Sequence, residues 1–242
     1  MRVIICDAYE EISKEAAKLV AGQVHLKPDC VLGLATGSTP IGMYNELAKQ
    51  YKDGGIDFSK VITFNLDEYY PLSADNDQSY HYFMQENLFS KINVKPENIH
   101  ILDGETENPE QECVDFDKKI DAAGGIDLQI LGIGRNGHIG FNEPDDSLIA
   151  GTHVTELTES TIEANARFFE KKEDVPTKAL TMGIASILKA KTIVLMANGK
   201  DKHEAISQLL TEKINTQFPA TMLKVHPNVV LICDREAYGN VD

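Results

Sequence analysis

The chain is poor in the features that would tie it to a metal, a membrane or a nucleic acid. Only four of its 242 residues are cysteine, at positions 6, 30, 113 and 233. None forms a C-x-x-C pair, so neither a zinc site nor a thioredoxin-like redox pair is expected. Three lie in or beside apolar, strand-like runs, where small core thiols are expected. Long hydrophobic runs are missing too: stretches such as Thr192–Ala197 are far too short to span a bilayer. The amino terminus, MRVIICDAYEE, has one short apolar run and then acids, without the long apolar stretch and cleavage site of a signal peptide. A cytoplasmic location with reduced thiols is therefore expected. Basic charge is scarce, with 23 Lys and Arg against 38 Asp and Glu and a formal net charge of −15. With no basic run, a nucleic-acid partner is not expected. A small anion is compatible with this charge if a helix N-terminus and one or two placed cations supply local help.

What remains is ordinary soluble composition, 42% hydrophobic and 25% charged. A chain of this length buries most of its apolar surface without covalent staples. Short β-branched runs alternate with amphipathic stretches. Strands are expected at Val3–Cys6, Val31–Leu34, Val61–Asn65, Asp127–Leu131, Thr192–Ala197 and Val229–Cys233. Between them, Tyr9, Ile12, Ala16, Leu19 and Val20 share one helical face. Further helices are expected after Pro40 (read as a first helical residue), near Ser79–Phe89, near Glu110–Ala122 and over Asp201–Leu210. Such alternation predicts an α/β fold: one three-layer αβα domain over residues 1–242, with a mostly parallel, Rossmann-like sheet. The polar stretch Thr155–Thr177, with few apolar anchors, is expected to form a lid.

Three polar motifs fall just beyond the carboxyl ends of predicted strands, where ligands bind in such sheets. The first, Ala35–Pro40, offers backbone N–H groups, three hydroxyls and a helix N-terminus, a combination that cradles phosphate. It is not a Walker A loop, and an ordinary capped turn is the alternative. The second, Asn65–Tyr70, is expected as an acidic aromatic loop. Either Asp67 or Glu68 would serve as a general base, although adjacent acids more often mean a solvated loop. The third, Gly132–Pro144, contains G-x-G-x-x-G, but it follows a strand in mid-chain and is a weak dinucleotide fingerprint. It reads better around His138, an imidazole left uncrowded by glycines, with Asn136 and Glu143 near in sequence to orient it. No second histidine stands at H-E-x-x-H spacing, so no metal is expected.

Taken together, these segments resemble the glucosamine-6-phosphate deaminases. That family carries a T-G-x-T-P turn, an N-x-D-E-Y loop and a G-H-I-x-F-N-E-P segment. Here they stand as Thr36–Pro40, Asn65–Tyr69 and Gly137–Pro144 in the same order, with Asn165–Phe169 and Lys202 extending the likeness over nearly the whole chain. The resemblance implies a cofactor-free conversion of D-glucosamine 6-phosphate and water to D-fructose 6-phosphate and ammonia. It implies that Asp67 moves a proton from carbon 2 to carbon 1 and that His138, supported by Asn136 and Glu143, opens the sugar ring. Gly37, Ser38, Thr39, Arg167 and Lys202 would hold the phosphate. One departure is Asn136, where many members have Asp. Its amide oxygen is expected to accept from the imidazole, leaving Glu143 as the negative charge near His138.

Two rivals share these motifs. A sugar-phosphate lactonase, such as the related 6-phosphogluconolactonases, would need no carbon-acid base. A sugar-phosphate-binding regulator would need only the phosphate contacts. Some deaminases of the family are hexamers with a second effector site built on an Arg and a Lys two residues apart. His153 and Thr155 stand there here, so a monomer without allosteric activation is expected.

Overall fold

The computed structural model describes residues 1–166, 169, 171 and 174–239, with the backbone alone at 160, 164 and 165. Among the described residues, seven strands form one sheet: β1 (Arg2–Cys6), β2 (Val31–Leu34), β3 (Ile62–Asn65), β5 (Ile99–His100), β6 (Leu128–Leu131), β9 (Thr192–Ala197) and β10 (Val229–Asp234). Its spatial order is β1-β10-β9-β6-β2-β3-β5, and every pairing is parallel. β2, β6 and β10 are buried throughout. They read as near-continuous apolar runs because a parallel sheet is covered on both faces.

The covering helices are α1 (Tyr9–Leu26), α2 (Ser38–Lys52), α3 (Tyr80–Asn87), α4 (Pro109–Ala122), α6 (Ile184–Leu188), α7 (His203–Leu209) and α8 (Arg235–Tyr238). In α1 the buried residues Ile12, Ala16, Val20 and Val24 recur every four positions, the stripe an amphipathic helix presents to its sheet. The expected α/β class and parallel sheet are what the chain adopts. Among the described residues no helix is long and apolar enough to cross a membrane. The four cysteines are free and buried.

The chain runs outward through β2, β3 and β5, then returns to place β6 on the other side of β2 and continues to β9 and β10. The strand order therefore reverses between β2 and β6, the crevice where open parallel sheets bind ligands. The Ala35–Gly37 turn leaves β2 there, and the loop beginning at Gly132 leaves β6.

Two expectations are corrected. First, Asn65–Tyr70 is not a loop. After Leu66 the chain enters β4 (Asp67–Tyr70), one edge of a three-stranded antiparallel sheet, β4-β8-β7, with β8 (Lys178–Thr181) and β7 (His153–Glu156). Its polar residues hide it from a reading of apolar runs, and its pairing is with residues more than a hundred positions away. Secondly, α2 starts at Ser38, which makes Pro40 its third residue rather than its first. The first four N–H groups of a helix have no internal partner, so proline costs no hydrogen bond there. The polar stretch 155–177, expected to form a lid, has described structure of its own. It begins within β7 and carries helix α5 (Glu159–Ala166) before β8. The Thr158 hydroxyl accepts from the Thr161 N–H at 3.3 Å, the contact an N-cap makes three residues into a helix.

Apart from the main core, a small cluster joins the two sheets. Tyr69 of β4, Phe141 of the loop after β6, Leu157 and Ala179 are buried together, with Tyr80 and Ile162 against them. The Tyr80 and Phe141 rings are nearly parallel with centroids 6.1 Å apart.

Candidate active site

The adjacent acids Asp67 and Glu68 are only 7% and 2% exposed, which removes the solvated-loop reading of this pair. Their environments differ sharply. The Glu68 carboxylate accepts from the backbone N–H of Tyr69 at 2.8 Å, Tyr80 at 2.9 Å and His81 at 2.9 Å. Two of these donors are the first residues of α3, so Glu68 closes that helix's N-terminus. Burial pushes its pKa up to about 7, and the three N–H groups pull against that rise. No hydrogen bond reaches the Asp67 carboxylate among the described residues. Burial, and then the neighbouring Glu68 charge, push its pKa up to about 8. One acid is committed to holding the fold and the other is free.

Asp67 lies opposite Thr181 in the antiparallel sheet. The Thr181 hydroxyl accepts from the Phe141 N–H at 3.1 Å. A Cβ built on Gly140 would fall 2.9 Å from that hydroxyl oxygen and 3.7 Å from Asp67 Oδ2. The small sheet thus brings Asp67 against the loop that carries His138.

That loop is tightly folded. The Gly134 N–H donates to the His138 carbonyl at 2.9 Å, and the Gly137 N–H donates to the Gly134 carbonyl at 3.1 Å. The imidazole lies directly over Gly134, where a Cβ would sit 2.3–2.4 Å from three ring atoms. Glycine at 134 is required for the ring to occupy its place. His138 Nδ1 is buried and 3.3 Å from Glu143 Oε1, close enough for an ion pair although not aligned for a hydrogen bond. Nε2 is therefore the ring nitrogen left to meet a ligand. Burial raises the Glu143 pKa, but the nearby His138 ring, with donors from Asn136 and Thr161, outweighs it, so the net shift is downward.

Asn136 does not contact the imidazole as expected. Its Nδ2 donates to Glu143 Oε2 at 2.6 Å, and its Oδ1 accepts from the His138 backbone N–H at 3.3 Å. It steadies the carboxylate and the loop rather than the ring.

Of the phosphate-cradle candidates, Gly37, Ser38 and Thr39 follow β2 and Lys202 follows β9. Gly37 caps α2 with φ 98°, a left-handed value that suits a residue without a side chain, and a Cβ there would meet nothing within 4 Å, so the space is open. Ser38 and Thr39 form the first turn, positioned by Tyr9, whose hydroxyl donates to their carbonyls at 3.0 and 3.1 Å and accepts from the Gly42 N–H at 2.8 Å. The Thr39 hydroxyl is already taken by Asn198 Oδ1 at 2.9 Å. What Thr39 offers an anion is its backbone N–H. Lys202, in a short 3-10 turn after β9, donates from Nζ to the Ile133 carbonyl at 2.7 Å. Burial, then the charge of Arg135, lower its pKa, with Asp201 acting the other way. Arg135 itself pairs with Asp201 at the surface. Arg167 lies outside the described residues.

Sequence reasoning missed Thr181, Asn198 and the capping role of Glu68. No local signal marks Thr181, because its importance comes from strand register. The run of N–H donors for Glu68 follows from where α3 begins, a start marked by Ser79, whose hydroxyl caps the helix by accepting from the Tyr82 N–H at 2.9 Å. Among the described residues no group of three or more His, Cys, Asp or Glu side chains is arranged to hold a metal ion.

A free, buried carboxylate and a carboxylate-backed imidazole, set beside a helix N-terminus at the switch point of a parallel sheet, define an α/β enzyme of acid–base chemistry. The model of the glucosamine-6-phosphate isomerases/6-phosphogluconolactonase family matches residues 5–231, and the chain belongs to that family. It is 58% identical over 237 residues to a glucosamine-6-phosphate deaminase of Halothermothrix orenii, covering 98% of each chain. It is 55% identical over 242 residues to one of Clostridioides difficile, covering 100% of this chain and 97% of the relative. A solved structure of a monomeric glucosamine-6-phosphate deaminase is 46% identical, covers 98% of each chain and superposes with a TM-score of 0.95. A 6-phosphogluconolactonase from Leishmania guyanensis, 20% identical with a TM-score of 0.74 over 100% of this chain and 98% of the other, shares the fold.

Proposed function

We propose that the chain converts D-glucosamine 6-phosphate and water to D-fructose 6-phosphate and ammonia. The observation that carries this reading is Asp67, a buried carboxylate beside the His138 loop with no hydrogen-bond partner among the described residues. Lactone hydrolysis needs no carbon-acid base, and binding alone gives no reason to bury an unsatisfied acid. Whole-length identity to deaminases supports the same choice over the lactonase rival.

In this reading the phosphate rests on the N–H groups at Gly37, Ser38 and Thr39, aided by the positive end of α2 and by the Lys202 ammonium. Arg167 is proposed as a further phosphate contact. His138 Nε2 takes the proton of the anomeric hydroxyl and returns one to the ring oxygen as the carbon–oxygen bond breaks, leaving the open-chain aldehyde. Glu143 stabilises the imidazolium formed on the way, and Asn136 holds Glu143 in place. Asp67 then takes the proton from carbon 2. The electron pair forms a double bond between carbons 1 and 2 as the substrate's ammonium passes a proton to the carbon 1 oxygen, giving the enolamine, and Asp67 returns the proton to carbon 1, giving the protonated imine at carbon 2. Water adds to that carbon, ammonia leaves, and the ketose remains. An elevated pKa makes Asp67 a strong base once ionised. The substrate's ammonium on carbon 2 supplies the positive charge that favours the ionised form.

The same reading makes the chain a cytoplasmic monomer without a second effector site. His153 and Thr155 lie in β7, opposite Thr181 and Ala179 of β8, where effector-activated members carry two cations, and the His153 ring nitrogen Nδ1 lies 2.9 Å from the Gly151 carbonyl. The primary test is ammonia release from glucosamine 6-phosphate, run beside hydrolysis of 6-phosphogluconolactone. Ammonia release with no lactone hydrolysis is expected, and the reverse result would overturn the reading.

A further inference from the structure

Glu143 is held from two directions, and one of them is not part of its own loop. Its Oε2 takes the amide of Asn136. Its Oε1, the oxygen 3.3 Å from His138 Nδ1, accepts from the Thr161 hydroxyl at 2.8 Å. Thr161 lies in the first turn of α5. Thr158 donates its own hydroxyl proton to Thr161 Oγ1 at 3.0 Å, which leaves the Thr161 proton for Glu143. The Thr158 oxygen also accepts the Thr161 N–H, so the same residue starts the helix and orders the hydroxyl chain. A second link runs in parallel: Ile162, the next residue of α5, packs on the cluster that holds Phe141, two residues before Glu143.

We propose that Thr161 is a positioning residue: its hydroxyl keeps Glu143 Oε1 against His138 Nδ1, so that the ring-opening imidazole is set by where α5 lies. The inference deepens the functional reading above and rests on it for its kinetic arm alone. The physical case is the direction of the chain. A carboxylate oxygen beside an imidazole that is not aligned for a hydrogen bond is free to rotate away, unless another donor fixes it. Thr161 is the donor that reaches this oxygen from outside the loop. Were α5 to move, Oε1 would lose its anchor and His138 its oriented anion together. Besides Thr161, the groups that reach Glu143 among the described residues are the His138 imidazole and the Asn136 amide. A change at Thr161 leaves both in place.

The test uses Thr161→Val, which keeps the shape and removes the hydroxyl, and Thr161→Ser, which keeps the hydroxyl. Thr161→Ala serves in place of the valine variant if that one folds poorly. With glucosamine 6-phosphate, T161V is expected to lower kcat about tenfold with little change in KM, the pattern of a lost transition-state interaction, and T161S to recover most of it. In the free protein, the titration of the Glu143 carboxyl followed by 13C NMR should move up in T161V and return in T161S. A purely structural role would lower Tm without moving that titration. Unchanged kcat and an unmoved Glu143 titration in T161V would overturn the proposal, as would equal losses in T161V and T161S. The NMR arm needs no substrate. If the unmodified chain released no ammonia, the functional reading would fail while the NMR arm still decided the role of Thr161.

Discussion

The two edges of the central sheet each bury an aspartate, and they treat it in opposite ways. At the amino edge, Asp127 precedes β6 and accepts from Lys27 at 2.8 Å, Lys191 at 2.7 Å and the Val31 N–H at 2.8 Å. Burial alone would raise its pKa, but these donors outweigh it and the net shift is downward. At the carboxyl edge, Asp67 has burial without donors, and its pKa climbs to about 8. The same residue type is a fastener where its charge is matched and a base where it is not. The fold spends stability at one edge and gains it at the other, as functional sites commonly require.

The sharpest way to break the contrast is Asp67→Asn. Loss of a positioned base should lower kcat by about 10²–10⁴-fold with little effect on substrate affinity, and abolish exchange of the carbon 2 proton with solvent. Stability should move the other way. The folded pKa lies above the ordinary carboxylate value of 3.8, so the native state holds the proton more tightly and loses stability as pH rises from about 4 to about 8. The asparagine variant escapes that loss. Its Tm advantage over the parent should be small near pH 4 and grow toward pH 8; a constant difference would mean that Asp67 ionises freely.

Asp127→Ala tests the opposite edge. Removing the acceptor strands the Val31 N–H and two lysines, at a cost of about 2–3 kcal/mol in chemical denaturation, with kcat unchanged. Because the Asp127 pKa is lowered, its contribution is present above the unfolded value of 3.8 and fades as pH falls through the lower, folded value. The parent and the variant should therefore converge in stability only in strong acid.

A smaller effect is expected from Lys202→Ala. Loss of one charge-assisted contact to phosphate should raise KM about tenfold with kcat largely kept. An unchanged KM would remove Lys202 from the phosphate site. The smallest effect belongs to Asn136→Asp. The new carboxylate would stand where an amide now donates to Glu143, so it should raise the Glu143 pKa. The acid limb of the pH–rate profile should then move upward; an unmoved limb would mean that Glu143 need not be ionised.

Much of this arrangement was legible before any coordinates. The parallel strands declared themselves as apolar runs, and Val31–Leu34 and Thr192–Ala197 appear with the expected limits. His138, Glu143 and the Asp67–Glu68 pair were singled out by residue type and by position after strands, and the family resemblance chose Asp67 of the two. The small antiparallel sheet was not legible. DEYY and HVTE have no apolar alternation, and they become strands because Lys178–Thr181 pairs with both.

The sequence by itself determined the layered α/β scaffold, because hydrophobic periodicity is local and is written along each segment. It also determined which chemical groups would stand at the carboxyl edge, since strand-to-helix order fixes where each loop emerges. Only the tertiary structure decided which of two neighbouring acids is free. Asp67 and Glu68 differ by a single position, but α3 brings its N–H groups to one and nothing to the other. It also decided that Asn136 serves the carboxylate rather than the ring, and that α5 reaches Glu143 through Thr161. A pKa and a hydrogen-bond partner depend on distances of a few ångströms between segments far apart in the chain, and no local pattern encodes those.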